Sequence, residues 1–215
     1  MNILARLAIA PVIAFSFQSH AALLKLEKGT RSIEGVNISK SATTEIDKST
    51  TELGTVGGGL RWKKVLLMKT KVYVAQLLVS SPERFTKKPS DALKSLDDST
   101  IAAIQMTFLR TVEADKVQNS FRDALSINKV DLQNPAIKAF LSAVSNGGDA
   151  SSGGNLTVLT QKHSDGTETV IYEDTNGKQT AVKGDRGLTQ KIFSIWLGTP
   201  ADDGVASLKN DLLGS

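Results

Sequence analysis

A glycine cluster followed by a long β-rich run constrains the fold of this chain more than any other feature. Gly57-Gly58-Gly59 precedes residues 64–79, which are rich in β-branched and other apolar side chains and contain no Gly or Pro. Such composition favours a strand over a helix. We predict a sharp bend at the glycines and one long central strand over residues 64–79.

Several shorter strands follow, and turn residues separate the last three. We predict strands at 101–109, 156–162, 167–173 and 179–183. Asp165-Gly166 and Asn176-Gly177 stand between the last three, and such pairs supply the positive φ of tight hairpins. The spacing therefore predicts antiparallel pairing in this part of the chain.

Helices are predicted between and after these strands. Val117, Phe121 and Leu125 share one helical face within residues 114–125. Further helices are predicted to begin at Asn134-Pro135, at Leu188 and at Thr199-Pro200, and short ones at Pro82 and Ala92. Amphipathic helices need an apolar partner surface, so the fold class is α+β, with the helices packed on a sheet.

The first 21 residues have the layout of a secretory signal peptide. Arg6 precedes an apolar run over residues 7–17, which is too short to span a bilayer, and small residues precede a cut after Ala21. An N-terminal core helix is the alternative. We expect an exported, periplasmic protein whose residues 22–215 form a single domain, with no membrane span.

The exported part must fold without disulfide bonds. The sequence contains no cysteine, and a chain of this length can bury a sufficient core on its own. With Arg6 removed, 25 basic residues are balanced by 22 acidic ones, and they are intermixed. Nucleic-acid binding therefore has little electrostatic support. Residues 39–55 are polar and predict a mobile or edge segment.

Most catalytic and metal-binding patterns are missing from the sequence. The lack of cysteine excludes a thiol nucleophile and a cysteine-bound zinc. His20 lies in the predicted signal peptide, and His163 is predicted beside a hairpin turn. Asp97-Asp98 and Asp202-Asp203 are adjacent pairs, and neighbours in sequence do not face each other on a helix. We expect no metal and no cofactor.

Two segments resemble the chalcone isomerase-like domain family. One contains Gly57-Gly58-Gly59-Leu60-Arg61 and the run from Lys71 to Val79, and the other is Ile192–Pro200 with leucines beyond it. Between them, Phe108-Leu109-Arg110 and Lys116-Val117 fall in the expected order. The resemblance covers about residues 35–213 and is closest to the bacterial exported branch. It implies a large antiparallel sheet with helices layered on one face and a cleft between them.

The same resemblance implies little isomerase activity. Arg61 stands where the plant enzymes have the cleft arginine that holds a substrate oxyanion. Met68, Glu113 and Ile195 stand where those enzymes have threonine, tyrosine and serine or threonine hydroxyls. Because loss of one oxyanion donor typically costs about a hundredfold in rate, a noncatalytic role is favoured.

The resemblance to noncatalytic members implies a small hydrophobic ligand, such as a fatty acid, whose carboxylate is held by Arg61. Thr70 and Tyr73 are the candidate ligand-binding residues on the following strand. Side-chain alternation predicts that only one parity of this strand faces the cleft. Alternatively, Arg61 pairs with a carboxylate of the protein itself.

Two other functions stay open at this point. One is an isomerase or intramolecular lyase for an unknown substrate, with Glu113 as acid or base. The other is an envelope interaction module with a filled core and no ligand. The sequence identifies neither the ligand nor a protein partner.

Overall fold

The computed structural model describes residues 22–214. Ten strands are present in this range: β1 Lys25–Glu27, β2 Arg31–Ile33, β3 Val36–Ile38, β4 Ser41–Ile46, β5 Ser49–Val65, β6 Met68–Val79, β7 Ile101–Phe108, β8 Asn155–Lys162, β9 Glu168–Glu173 and β10 Gln179–Gly184. The signal peptide predicted for residues 1–21 lies outside the described residues and stays a prediction.

The described residues also form five α-helices and one short 3-10 turn. The helices are α1 Ala92–Ser95, α2 Ala114–Ile127, α3 Pro135–Asn146, α4 Leu188–Leu197 and α5 Asp203–Leu213, and the 3-10 turn is Leu96–Asp98. Within residues 22–214, no helix has both the length and the apolarity to cross a membrane.

Eight strands form one antiparallel sheet in the order β1-β4-β5-β6-β7-β8-β9-β10, and β2 pairs separately with β3. The main apolar core lies between one face of this sheet and the helices, and it includes Leu77, Ile104, Phe140 and Trp196. A smaller cluster on the other face brings Leu23 and Leu24 of the N-terminal segment together with sheet residues. The predicted α+β class, with a large antiparallel sheet and helices layered on one face, is confirmed.

The central part of the sheet differs from the sequence prediction. Residues 64–79 do not form one strand, because β5 ends at Val65 and a turn at Leu66-Leu67 leads into β6. The glycine cluster does not separate two elements but lies inside β5, directly after a β-bulge at Val56. A side chain at Gly57 would collide with the backbone carbonyl of Leu212, so this glycine lets α5 pack directly on the strand.

The β5–β6 pair contains a β-bulge beside Arg61. Arg61 pairs with Tyr73 and Trp62 pairs with Lys71, which leaves Val72 as one extra residue on β6. A bulge interrupts strict side-chain alternation and bends the bulged strand. The outer part of the hairpin, residues 62–71, therefore has its own in-and-out pattern.

Residues 39–55, for which the sequence predicted a mobile or edge segment, lie near one edge of the sheet, where β1 pairs only with Ser41–Thr43 of β4. They form β4 and the beginning of β5, and β4 is the second strand from one edge of the sheet. Ser39, just before β4, is fixed to β6 because its backbone N–H and its hydroxyl both donate to Gln76 Oε1, at 2.9 and 2.7 Å. Such paired polar groups explain why a polar segment belongs to the sheet.

The predicted helices are confirmed in α1 to α4, but two predicted helix starts are wrong. Pro82 begins only a turn. The last helix begins at Asp203, after the N-cap residue Asp202, and not at Thr199-Pro200. The Asp202 carboxylate accepts from the backbone N–H of Val205 at 2.9 Å, and aspartate is among the preferred N-cap residues. The three C-terminal strands and the positive φ of Gly166 and Gly177 are confirmed.

Candidate functional site

A cleft of about 870 Å³ lies between helix α2 and the strands β5, β6 and β7, beside the N-terminus of α5. This volume is typical of sites for small organic ligands, which measure roughly 300–1,000 Å³. The cleft is open at one side, where exposed residues of α2 and of the β5–β6 hairpin face each other.

The inner wall of the cleft is apolar and comes from five elements, β6, β7, α2, α4 and α5. Its buried or half-buried apolar side chains are Val72, Phe108, Val117, Phe121, Ile195 and Val205. Phe121 also stacks edge-on against Trp196, with ring centroids 5.3 Å apart, which connects the wall to the main core. Such a wall can desolvate a hydrocarbon chain.

Arg61 lines the cleft and is only 5% exposed. Its Nη2 donates to the Asp202 carboxylate at 2.6 Å. Its Nη1 is buried and has no hydrogen-bond partner within residues 22–214. Nη1 lies against Gly204, where any Cβ would collide with Nη1 and with the Trp62 carbonyl. The alternative that Arg61 pairs with an acid of the protein is therefore correct, yet one of its donors remains unused.

The N-terminus of α5 adds positive potential at the same place. Helix N-termini carry a partial positive charge, and the guanidinium of Arg61 lies against the first turn of α5. Asp202 is the anion that both features attract. Partial burial acts to raise the pKa of Asp202, but hydrogen bonds from Arg61 and Val205 and the charge of Arg61 together hold it below its ordinary value. This end of the cleft favours anions.

Tyr73 lies beside Arg61 on the neighbouring strand and also lines the cleft. Its hydroxyl oxygen accepts a hydrogen bond from the indole Nε1 of Trp196 at 3.3 Å. Burial raises the pKa of Tyr73, although the nearby charge of Arg61 opposes this rise. The phenol therefore stays neutral, and its own O–H has no acceptor among the hydrogen bonds of residues 22–214. It can donate to a ligand.

Thr70 lines the cleft together with Tyr73, so the expectation that only one parity of this strand faces the cleft is wrong. The extra residue Val72 shifts the alternation between the two positions. Lys71 points to the other side, where its Nζ donates to Glu34 at 2.6 Å. Arg61, Thr70 and Tyr73, the three residues predicted from the sequence, therefore line one cleft.

Glu113 lies at the mouth of the cleft and not in its interior. About two thirds of its side chain is exposed, and its carboxylate accepts from Lys116 Nζ at 2.9 Å. Met68 is 75% exposed at the hairpin end and does not line the cleft, whereas Ile195 contributes an alkyl group to the inner wall. None of these three side chains offers a hydroxyl donor to the cleft.

The polar outer wall was not predicted from the sequence. It consists of Arg110 and Thr111 after β7 and of Asn119 and Ser120 on α2. Ser120 flanks the apolar stripe of Val117 and Phe121, and this boundary position was its only available signal, whereas Asn119 falls on the other side of the helix and gave none. No group of His, Cys, Asp or Glu within residues 22–214 is arranged to hold a metal ion.

Comparison with known proteins agrees with this architecture. A family model described as chalcone isomerase-like matches residues 30–214. The chain therefore belongs to the chalcone isomerase-like family, and the resemblance seen in the sequence is confirmed. Its assignment to a bacterial exported branch stays a prediction. The comparison with curated proteins found no match.

A solved structure with the same fold is a fatty-acid binding protein of Arabidopsis thaliana. It is 16% identical to this chain, with a TM-score of 0.57, and the match covers 87% of this chain and 96% of that one. Nearly the whole of both chains therefore shares one fold.

Proposed function

We propose that this protein is a noncatalytic binding protein for a small hydrophobic carboxylate such as a fatty acid. The carboxylate lies at the end of the cleft near Arg61, and the hydrocarbon chain lies along the apolar inner wall. Thr70 and Tyr73 contribute hydroxyl groups near the head group. The similar plant protein is described as binding fatty acids, which suggests the ligand class.

The observation that carries the proposal is the buried guanidinium with an unused donor at one end of an apolar cleft. A buried donor without an acceptor is costly, and hydrogen bonds from charged donors are the stronger ones. An anion that approaches the guanidinium gains the attraction of its charge, the helix terminus of α5 and the free O–H of Tyr73, and Nη1 becomes available to it once the guanidinium turns away from Gly204. A hydrophobic carboxylate fits this cleft because it combines an anionic head group with an apolar tail.

Asp202 has to share Arg61 with the ligand. The Asp202 carboxylate accepts a hydrogen bond from Nη2 of Arg61 and from no other guanidinium nitrogen among the described residues, and the Asp202 side chain is 39% exposed. Since α5 also needs Asp202 as its N-cap, we expect its second oxygen to turn away from Arg61 when the ligand binds, while the bond to Val205 remains. Asp202 is therefore an internal competitor for the ligand carboxylate.

Catalysis is disfavoured because Met68, Glu113 and Ile195, which stand where the plant enzymes have hydroxyl groups, supply none to the cleft. Glu113 lies in an exposed ion pair at the mouth, and Ile195 and Met68 offer no hydroxyl group. An isomerase needs donors held at developing negative charge in a site that excludes water. The interaction-module alternative was expected to have a filled core, and an open cleft of about 870 Å³ does not fit that expectation.

The experiment begins with protein purified under native conditions, extracted with organic solvent and examined by mass spectrometry for bound fatty acids. Delipidated protein is then titrated with palmitate, and affinity and thermal stability are measured. Arg61→Ala should weaken binding at least about tenfold, the loss expected when a charged hydrogen bond is removed. Arg61→Lys, which keeps the charge and loses the planar fork, should weaken it less.

Arg122→Ala is the matched control, because Arg122 is exposed on α2 and does not line this cleft. It should bind palmitate like the unaltered protein. Circular dichroism checks that each variant is folded. The proposal fails if the unaltered protein carries no lipid and shows no thermal shift with palmitate, or if folded Arg61→Ala binds as well as Arg122→Ala.

A further inference from the structure

The β5–β6 hairpin ends in a group of exposed apolar side chains, which we call the hairpin tip: Val65, Leu66, Leu67 and Met68. Their exposed fractions are 52%, 93%, 91% and 75%. Single exposed apolar residues are common on protein surfaces, whereas contiguous groups mark sites of interaction. The tip therefore needs a partner.

The backbone at the tip supports this conclusion independently. Leu66 has φ of 57°, a conformation that bulky residues rarely adopt and that Gly, Asn or Asp normally occupy in two-residue hairpin turns. The two other two-residue hairpin turns between residues 22 and 214, Glu34-Gly35 and Asp47-Lys48, carry no large apolar side chain. A leucine is thus held in an unfavourable conformation where the chain elsewhere uses polar residues.

Basic residues surround the base of the tip. Lys64 and Lys69 lie directly opposite each other on the two strands, an arrangement of like charges that destabilises a sheet. Within residues 22–214, neither of them nor Lys63 forms an ion pair. The Lys69 ammonium lies 4.3 Å from the ring centroid of Trp62. An external anion would relieve the repulsion between Lys64 and Lys69.

We propose that the hairpin tip docks the protein on the surface of an anionic lipid bilayer. The apolar end enters the boundary between head groups and acyl chains, and the lysines meet the negatively charged head groups. Along the hairpin, the apolar tip is followed by a layer that contains lysines and a tryptophan. This order matches the change in polarity across a bilayer interface. A protein groove would fit the apolar end but would not require this layering of charge.

The tip adjoins the mouth of the cleft. Lys63, Val65 and Thr70 belong to the hairpin and also line the cleft. Docking would hold the cleft opening against the lipid surface, where hydrophobic carboxylates are found. Membrane docking does not rest on the proposed ligand, because vesicle binding is measured without any added fatty acid.

The test is co-sedimentation of the protein with vesicles of phosphatidylcholine alone and of phosphatidylcholine mixed with phosphatidylglycerol. The unaltered protein should bind the anionic vesicles, and less so at high salt, since salt screens exposed charges. The double variant Leu66→Asn/Leu67→Gly should bind about tenfold more weakly, because its tip has lost its two most exposed apolar side chains. Asn-Gly suits a two-residue turn, so this variant should fold.

Leu26→Asn is the matched control, because Leu26 is an exposed leucine on β1 that is in register, through Ala42, with Leu53, far along β5 from the hairpin tip. It should bind vesicles like the unaltered protein. The proposal is overturned if the unaltered protein does not bind anionic vesicles. It is also overturned if the double variant binds them as well as the unaltered protein does. A dimer that the double variant abolishes, without vesicle binding, would also overturn it and assign the tip to self-association.

Discussion

Arg61 and Asp202 lie 141 positions apart in the sequence, yet their side chains meet at 2.6 Å at one end of the cleft. Asp202 also caps helix α5 through Val205. The Asp202 carboxylate therefore contacts both the proposed ligand anchor on β5 and the first turn of α5. Substitutions of Asp202 should show how far ligand affinity and protein stability each depend on it.

Asp202→Asn should raise the affinity for palmitate several-fold. Asparagine caps helices as well as aspartate does, and the substitution removes the charge that competes with the ligand. A partly exposed ion pair contributes about 1 kcal/mol, which corresponds to roughly fivefold in a dissociation constant. Titration of delipidated protein with palmitate measures the effect, with Asp203→Asn as control. Weaker binding by Asp202→Asn would instead assign the pair to positioning of Arg61.

The same pair should make stability depend on pH in acid. The pKa of Asp202 is lower in the folded protein than its ordinary value of 3.8. Its stabilising contribution is therefore fully present above that value and is lost as the pH falls through the lowered pKa. Urea unfolding of the unaltered protein and of Asp202→Asn should differ near neutral pH and converge below pH 3.8. A difference that stays constant across this range would contradict the assignment.

Tyr73→Phe should weaken palmitate binding and also reduce stability. The substitution removes the phenol O–H from the cleft and leaves the buried indole Nε1 of Trp196 without its acceptor. An unsatisfied buried donor costs about 1–3 kcal/mol. Urea unfolding measures the loss, and Tyr172→Phe, at a buried tyrosine outside the cleft, is the control. Equal loss in both variants would exclude a specific role for the Tyr73–Trp196 contact.

Gly57→Ala should destabilise the protein by about 3 kcal/mol, at the upper end of the usual cost of overpacking. The added methyl group would collide with the backbone carbonyl of Leu212, so α5 would have to move away from β5. Gly184→Ala is the control, because its methyl group would meet only side-chain atoms, the flexible end of Leu188 and the Ala136 methyl group, and no backbone carbonyl. Urea unfolding of both variants measures the difference. A Gly57→Ala variant as stable as Gly184→Ala would show that α5 can shift at little cost.

Much of the fold could be predicted from local sequence patterns. The helical spacing of Val117, Phe121 and Leu125 and the turn pairs Asp165-Gly166 and Asn176-Gly177 depend on near neighbours, and they led to correct elements. The turn at Leu66-Leu67 could not be predicted, because leucines are not turn residues and the apolar run continues through them. The role of the glycine cluster could not be predicted, because these glycines let α5 approach β5, and the residues of α5 lie about 150 positions further along the chain.

The site was predicted only in part, for a similar reason. Arg61 was found through a family resemblance, and Thr70 and Tyr73 through their strand. Their joint presence in the cleft depends on the bulge at Val72, and no local pattern in the sequence predicts that bulge. The pairing of Arg61 with Asp202 is a long-range contact, and Asn119 and Ser120 carry no signal beyond their position on α2.

Because β5 and α5 are in close contact, the side of the cleft next to Arg61 tolerates fewer substitutions than the side formed by α2. On the Arg61 side, the distance between β5 and α5 is set by direct backbone contacts at Gly57 and Gly204. No side chain lies in these contacts, so the distance cannot be adjusted by exchanging one side chain for a slightly larger or smaller one. On α2, Asn119 and Ser120 are exposed and free to vary in size and polarity. Selection or engineering for a different tail length should therefore act on α2, while the head-group end stays constant.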